Sequence, residues 1–144
     1  MEIRRSRPED ASAIAVMEAA IFGDPWSEKD ILSYISSQIG MCYTALLDGE
    51  PVGYIIGQKI LPEAEIYRIA VREDKRRVGI GNMLLSYALD NELECGVKTV
   101  FLEVRSKNTA ARELYRHLGF NEEGIRENYY QNPDDDAVVM LINQ

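Results

Sequence analysis

Ile69-Ala70-Val71-Arg72-Glu73-Asp74-Lys75-Arg76-Arg77-Val78-Gly79-Ile80-Gly81-Asn82-Met83-Leu84-Leu85 runs from a core-strand signal through a basic elbow and two closely spaced glycines into an apolar helix. That order describes a place for a phosphate-bearing ligand. Gly79 and Gly81 let the backbone approach a ligand with no Cβ in the way, and the helix behind them aims unpaired N–H groups and its positive end at an anion. Arg76 and Arg77 add positive charge. A solvated basic loop between a core strand and a core helix would carry the same letters, so the rest of the chain has to decide. A nucleotide-binding P-loop is excluded, because no Gly-Lys-Ser/Thr follows the glycines.

Upstream, Ile3 to Ser6 is a short strand, and Pro8-Glu9-Asp10 opens a helix, with Pro in the first turn and carboxylates at the positive end. That helix runs to about Phe22, with Ile14, Met17, Ile21 and Ala11, Val16, Ala20 at helical spacing. Ser27-Glu28-Lys29-Asp30 has the shape of a capping box and starts a second helix with Ile31, Ile35 and Ile39 on one side. Met41 to Leu47 and Val52 to Ile60 read as hairpin arms around Asp48-Gly49-Glu50, and Gly53 and Gly57 suggest a bulge or a close backbone approach. Glu65 to Val71 is a further strand leading into the elbow. The helix behind the glycines ends at Cys95-Gly96. Thr99 to Val104 is a strand, Asn108 to Leu118 a helix, and two terminal strands flank Asn132-Pro133-Asp134-Asp135-Asp136. Strand, two helices, three strands, helix, strand, helix and two strands make an α/β protein with a mixed sheet.

The 144 residues suffice for one domain that buries roughly 68–70% of its unfolded surface. No apolar run is long enough for a membrane helix, and Met1-Glu2-Ile3-Arg4-Arg5 leads into mixed polar sequence instead of a secretory signal; the expected location is the cytoplasm. Cys42 and Cys95 lack the spacing of a zinc site, and the one histidine, His117, reads as a helix-surface residue. No metal is expected. A formal net charge of −8 argues against wholesale binding to nucleic-acid phosphates and suits a basic partner.

In Phe101-Leu102-Glu103-Val104-Arg105, alternation puts Val100, Leu102 and Val104 on one face and Phe101, Glu103 and Arg105 on the other. Glu103 either pairs with Arg105 on a half-solvated face or serves chemistry. Asn108 is an N-cap or a ligand contact, and Tyr115 is a core aromatic or a proton donor.

Read together, Arg76-Arg77-Val78-Gly79-Ile80-Gly81 behind a strand, then Asn108-x-x-Ala111, Leu114-Tyr115 and Leu118-Gly119-Phe120, resemble the GNAT superfamily of N-acetyltransferases over nearly the whole chain. Pro25-Trp26-Ser27, Leu102-Glu103-Val104-Arg105 and Arg126-x-Asn128-Tyr129-Tyr130 are similar to its RimI type, which acetylates the N-terminal alanine of small-subunit ribosomal protein eighteen. The resemblance implies a GNAT-type central mixed, largely antiparallel sheet with helices on both faces, and one N-acetyltransferase domain over residues 1–144. It implies acetyl-CoA as cosubstrate, with its pyrophosphate on the amides of Arg77, Val78, Gly79, Ile80, Gly81 and Asn82 and with Arg76 also among the cofactor-binding residues. The pantetheine would lie along Ile69, Ala70 and Val71, and Asn108 would bond the cofactor's arm. Glu103 is then the general base, Tyr115 the general acid, and Trp26, Tyr67, Tyr129 and Tyr130 border the acceptor. The implied partner is a basic protein N-terminus, with no nucleic acid or membrane involved, and the peptide amine attacks the thioester directly in a ternary complex. Asp134 to Asp136 either receive that basic peptide or only shape a turn. A small-amine acceptor or a CoA sensor without turnover are the alternatives.

Overall fold

In the computed structural model, which describes residues 1–143, seven strands form one sheet in the order β1-β2-β3-β4-β5-β7-β6. Along the chain these are β1 (Glu2–Arg5), α1 (Ala11–Ile21), α2 (Glu28–Ser36), β2 (Gly40–Leu47), β3 (Glu50–Ile60), β4 (Glu63–Val71), α3 (Ile80–Glu94), β5 (Thr99–Arg105), α4 (Thr109–His117), β6 (Asn121–Tyr130) and β7 (Asp135–Asn143). Every neighbouring pair is antiparallel except β4 with β5. Element order and the mixed, largely antiparallel sheet agree with the sequence reading.

The element boundaries have local causes. Ahead of α1 the Asp10 carboxylate accepts from the Arg7 N–H at 2.7 Å and from the Arg4 guanidinium at 2.6 and 3.0 Å, which ties the strand exit to the helix start. Ser27 caps α2 by accepting from the Asp30 N–H at 3.1 Å. That helix stops at Ser36, so Ile39, expected on its apolar side, lies past its end and is exposed. Asp48 and Gly49, with φ of 51° and 79°, make the two-residue turn whose twist matches a hairpin. Gly96 turns the chain out of α3 at φ 97°.

Two apolar layers clamp the sheet. On one face Leu84, Leu85 and Ala88 of α3 and Tyr115 of α4 pack with Ile55, Leu102, Val104 and Met140. On the other, Ala11, Ile14 and Met17 of α1 and Ile31 of α2 cover Cys42, Tyr54, Ile56 and Ala70. The predicted alternation along β5 holds. The expected faces of α1 do not: Val16 is 68% exposed and Ala20 points to solvent, while Glu18 is wholly buried. Glu18 follows Ile14 by one turn, so it enters the sheet-facing stripe and meets polar partners there.

β4 and β5 pair only from Glu63↔Thr99 to Ile66↔Leu102, yet β4 runs on to Val71 and β5 to Arg105. At that point the register of β4 on β3 slips: Ile56 faces Arg68 and Gly57 faces Ile66, which leaves Tyr67 as the extra residue of a bulge. Gly57 is required, because a Cβ there would overlap the Glu65 carbonyl oxygen. A bulge bends its strand and re-aims side chains; here it accompanies the parting of β4 from β5 beside the residues singled out in the sequence.

Candidate active site

Behind β4 the basic elbow is a tight structure of its own. The Arg76 side chain folds back so that its Nε donates to the Val71 carbonyl at 2.9 Å, which fixes the exit from the strand. Arg77 and Gly79 take positive φ, 69° and 87°, a conformation Gly adopts freely and Arg only under local constraint. The first bond of α3 runs from the Met83 N–H to the Gly79 carbonyl at 3.0 Å, so the N–H groups ahead of it have no partner within the helix. A Cβ on Gly81 would make only ordinary contact with Leu114 and Val71, at 3.7 and 3.8 Å. Internal packing therefore does not demand glycine at that position. Asn82 Oδ1 is buried without a hydrogen-bond partner. Val78 is exposed and Ile80 is a core residue.

Ile69, Ala70 and Val71 pair with Ile55, Tyr54 and Gly53 of β3, and their other backbone edge faces the side on which the ladder to β5 has ended. Asn108 caps α4, its Oδ1 accepting from the Ala111 N–H at 3.2 Å. The capping role is thus real, and the amide nitrogen is left over to donate to a ligand.

Glu103 projects from β5 on the face opposite the α3/α4 core. Its side chain is 16% exposed and its Oε2 lies 3.5 Å from Arg126 Nε, an ion pair across β7, yet that oxygen is buried and makes no hydrogen bond. Arg105, the partner considered from sequence, is used elsewhere: it donates to the Pro133 and Gln131 carbonyls at 2.7 and 3.0 Å and lies over the Tyr130 ring. Burial, then the Glu103 charge, raises the Glu65 carboxyl above its ordinary range. Tyr130 is pushed up to about 12 by burial and then by Glu103. Tyr115 is only 5% exposed and its ring packs on Phe120 at 5.9 Å between centroids; burial, then Tyr130, raises its phenol well above the usual value. Tyr130 thus stands within charge range of Glu103 on one side and of Tyr115 on the other.

The remaining predicted residues form two walls. Trp26 stacks on Tyr34 at 5.0 Å, and Tyr67 completes the trio at 6.2 and 5.8 Å. Beside them lies an open cleft of about 520 Å³ lined by Trp26, Asp30, Ser33, Tyr34, Ser37 and Gln58. On the terminal hairpin Tyr129 and Tyr130 meet edge to face at 5.1 Å, with Arg126 over Tyr129. Two of the three hairpin aspartates are engaged in holding the chain: Asp135 accepts from the Lys107 and Asp136 N–H groups and Asp136 from that of Asn128. Sequence reasoning missed Tyr34, Glu65 and Arg68, and although it quoted Arg126 in a motif it missed its pairing with Glu103. Tyr34, Glu65 and Arg68 have no local motif, and the pairing of Arg126 with Glu103 joins two different strands.

Neither thiol suits an acyl-enzyme. Burial pushes Cys42 up to about 11, and Cys95 sits at the C-terminal end of α3, about 22 Å along the helix from the glycine elbow. His117 is exposed on α4. Among the described residues no group of three His, Cys, Asp or Glu side chains could hold a metal, and no helix is long and apolar enough to cross a membrane.

Known proteins resemble this chain in sequence and fold. The pattern of the Acetyltransferase (GNAT) family matches residues 11–120. The [ribosomal protein bS18]-alanine N-acetyltransferase of Escherichia coli strain K12 is 38% identical over 140 residues, covering 92% of this chain and 90% of its own. That of Haemophilus ducreyi is 34% identical over 139 residues, covering 93% and 94%. The crystal structure of the ribosomal-protein-S18-alanine N-acetyltransferase from Escherichia coli superposes with a TM-score of 0.92 at 35% identity, covering 99% of this chain and 92% of that one. With its family pattern, its sheet and its glycine elbow all in agreement, the chain belongs to the acetyltransferase (GNAT) family.

Proposed function

We propose that this chain, acting as one domain over residues 1–144, transfers the acetyl group of acetyl-CoA to the N-terminal α-amino group of a protein, with the N-terminal alanine of small-subunit ribosomal protein eighteen as its first candidate. The observation that carries the reading is Glu103: a carboxylate with an unbonded, buried oxygen, set where β4 and β5 have parted. The bS18-alanine acetyltransferases among its relatives support the choice of acceptor.

The donor set suits a polyanionic cosubstrate. Backbone N–H groups from Arg77 through Asn82, the α3 dipole and the Arg77 side chain would hold the pyrophosphate, with Arg76 bracing the loop through Val71. The free edge of Ile69 to Val71 and the Asn108 amide would hold the arm. Acetyl-CoA supplies an activated thioester at the opening between β4 and β5.

Glu103 takes the proton from the incoming ammonium, directly or through a water. An α-amino group of pKa about 7.7–8.0 needs little help near neutral pH, whereas lysine at about 10.4 needs far more, so one carboxylate serves an N-terminus better than a lysine side chain. Arg126 faces the Glu103 carboxylate at 3.5 Å without a hydrogen bond that would occupy it. Tyr115, held neutral by its burial, donates to the sulfur as negative charge grows there. Its raised pKa makes full proton transfer more uphill than for a free phenol, so the proton follows the charge late. Trp26, Tyr67, Tyr129 and Tyr130 line the acceptor's approach, and the Asp30 carboxylate in the cleft suits a basic peptide. We put the reaction in the cytoplasm, with a ribosomal protein as partner and neither nucleic acid nor membrane taking part.

The test is mass spectrometry of a basic Ala-initiated peptide and of spermidine, each incubated with the full chain and acetyl-CoA. The peptide should gain one acetyl group at its N-terminus, and Glu103→Gln should lower kcat by about 10²-fold or more. Preferential acetylation of spermidine, or full turnover in a Glu103→Gln, Tyr115→Phe double variant, would refute the assignment.

A further inference from the structure

Between α1 and α2 the chain crosses Phe22-Gly23-Asp24-Pro25-Trp26 without helix or strand, yet two side chains from outside that loop grip its backbone. Glu18 of α1, wholly buried, accepts from the Trp26 N–H at 3.0 Å and from the Tyr54 hydroxyl at 2.5 Å. Arg68 of β4 donates from Nη2 to the Asp24 carbonyl at 2.9 Å. Its guanidinium carbon lies over two aromatic rings, 4.2 Å from the centroid of Phe22 and 5.0 Å from that of Trp26. The two grips are joined, since Arg68 Nε faces Glu18 Oε1 at 3.4 Å. That contact lacks hydrogen-bond geometry, and Nε is buried without a partner. Charge attraction therefore holds the pair, while the directed bond of the guanidinium is given to the loop.

We infer that Arg68, locked by Glu18, is the positioning residue that holds the Phe22–Trp26 loop against β4 and thereby sets acceptor affinity. A buried ion pair is a poor source of stability, because desolvation offsets the attraction and an apolar pair would fill the space as well. Position is what this pair supplies. Arg68 is also next to the bulge residue Tyr67, whose ring closes the trio with Trp26 and Tyr34. One guanidinium thus links the bulge in β4 to the aromatic wall of the cleft. Lysine could keep the charge but has no planar fork to cover both rings and reach Asp24 and Glu18 together.

This inference rests on the proposed acceptor for its kinetic half, and a second readout is independent of it. Trp26 is the single tryptophan of the chain, so its fluorescence quenching by acrylamide reports the loop whatever the substrate. In Arg68→Met the quenching constant should rise, and the KM for the Ala-initiated peptide should rise about tenfold, while the KM for acetyl-CoA stays within about twofold. Arg68→Lys, which keeps a cation against Glu18, should show the same pattern and serves in place of the Met variant if that one does not fold. Unchanged Trp26 quenching in the folded Lys variant overturns the inference. So does a peptide KM equal to that of the wild type while quenching rises, since the loop would then be held for no purpose at the acceptor. If the wild type leaves the peptide unacetylated, the proposed acceptor fails, and the same KM comparison is made with the amine it does acetylate.

Discussion

Glu92 on α3 and Glu18 on α1 lie on opposite faces of the sheet, both wholly buried, and each accepts a hydrogen bond from a tyrosine of a central strand. Glu92 takes Tyr43 of β2, with Lys59 of β3 at 2.5 Å and Arg5 of β1 at 3.1 Å. Glu18 takes Tyr54 of β3, with Arg68 of β4 and the Trp26 N–H. Every partner of Glu92 stands on a strand, so that group staples α3 to three strands. One partner of Glu18 belongs to a loop, and its cation grips the same loop. The two sites bear similar desolvation costs; one spends the interaction on holding a helix and the other on holding a binding wall.

The largest way to break the comparison is to delete the carboxylates. Glu92→Ala strands Lys59, Arg5 and the Tyr43 hydroxyl, and should cost about 3–5 kcal/mol, read from the urea midpoint, with turnover per folded molecule preserved. Glu18→Ala should cost less, because Arg68 still has the Asp24 carbonyl and, at 3.4 Å, the Asp24 carboxylate; it should raise the peptide KM instead. Equal stability losses with no change in KM would mean that both glutamates are mere staples.

The contrast explains what could be read from the letters. The glycine elbow, the Asn108 cap, the Asp48-Gly49 turn, the Cys95-Gly96 stop and the alternation of β5 are local, each set by residues within a few positions, and each is where the sequence put it. Glu18 was invisible because its helix carries small apolar residues on several sides, so periodicity alone favoured Val16 and Ala20 for the core. Its partners Tyr54 and Arg68 come from strands far along the chain. Arg126 as the partner of Glu103 depends on β7 lying between β5 and β6, a topological fact with no local signature. The parting of β4 from β5 accompanies a bulge at Tyr67, which Gly57 signalled only as a bulge or a close approach, with nothing to say that β5 would leave there.

A middle-sized test swaps each tyrosine. Tyr43→Phe and Tyr54→Phe each remove a donor to a buried carboxylate, worth about 1.5–3 kcal/mol. Tyr43→Phe should sit at the upper end, since it also deprives Asn91 Nδ2 of its acceptor at 2.8 Å. Only Tyr54→Phe should increase acrylamide quenching of Trp26, because only Tyr54 shares its carboxylate with the loop. Increased quenching in both variants would show that the loop senses general loosening and not the loss of its own anchor.

The smallest effect appears with pH. Burial first, then the adjacent carboxylate, raises both Tyr43 and Tyr54 far above the ordinary phenol value of 10.0. The fold therefore favours the protonated phenol, and the unfolded chain releases its protons first. This contribution is whole below the unfolded pKa and is lost as pH rises from there through the folded values. At pH 10 half of an unfolded phenol is ionised, so each tyrosine should lower stability by RT ln 2, about 0.4 kcal/mol, measured as the change in urea midpoint between neutral pH and pH 10. Each Phe variant should remove its own share, and the shares should be equal, because this term depends on the phenol being kept dry and not on what the carboxylate beyond it holds. A missing share for Tyr54 alone would mean that water reaches Glu18 through the loop, and the contrast between the two faces would then be one of hydration before it is one of purpose.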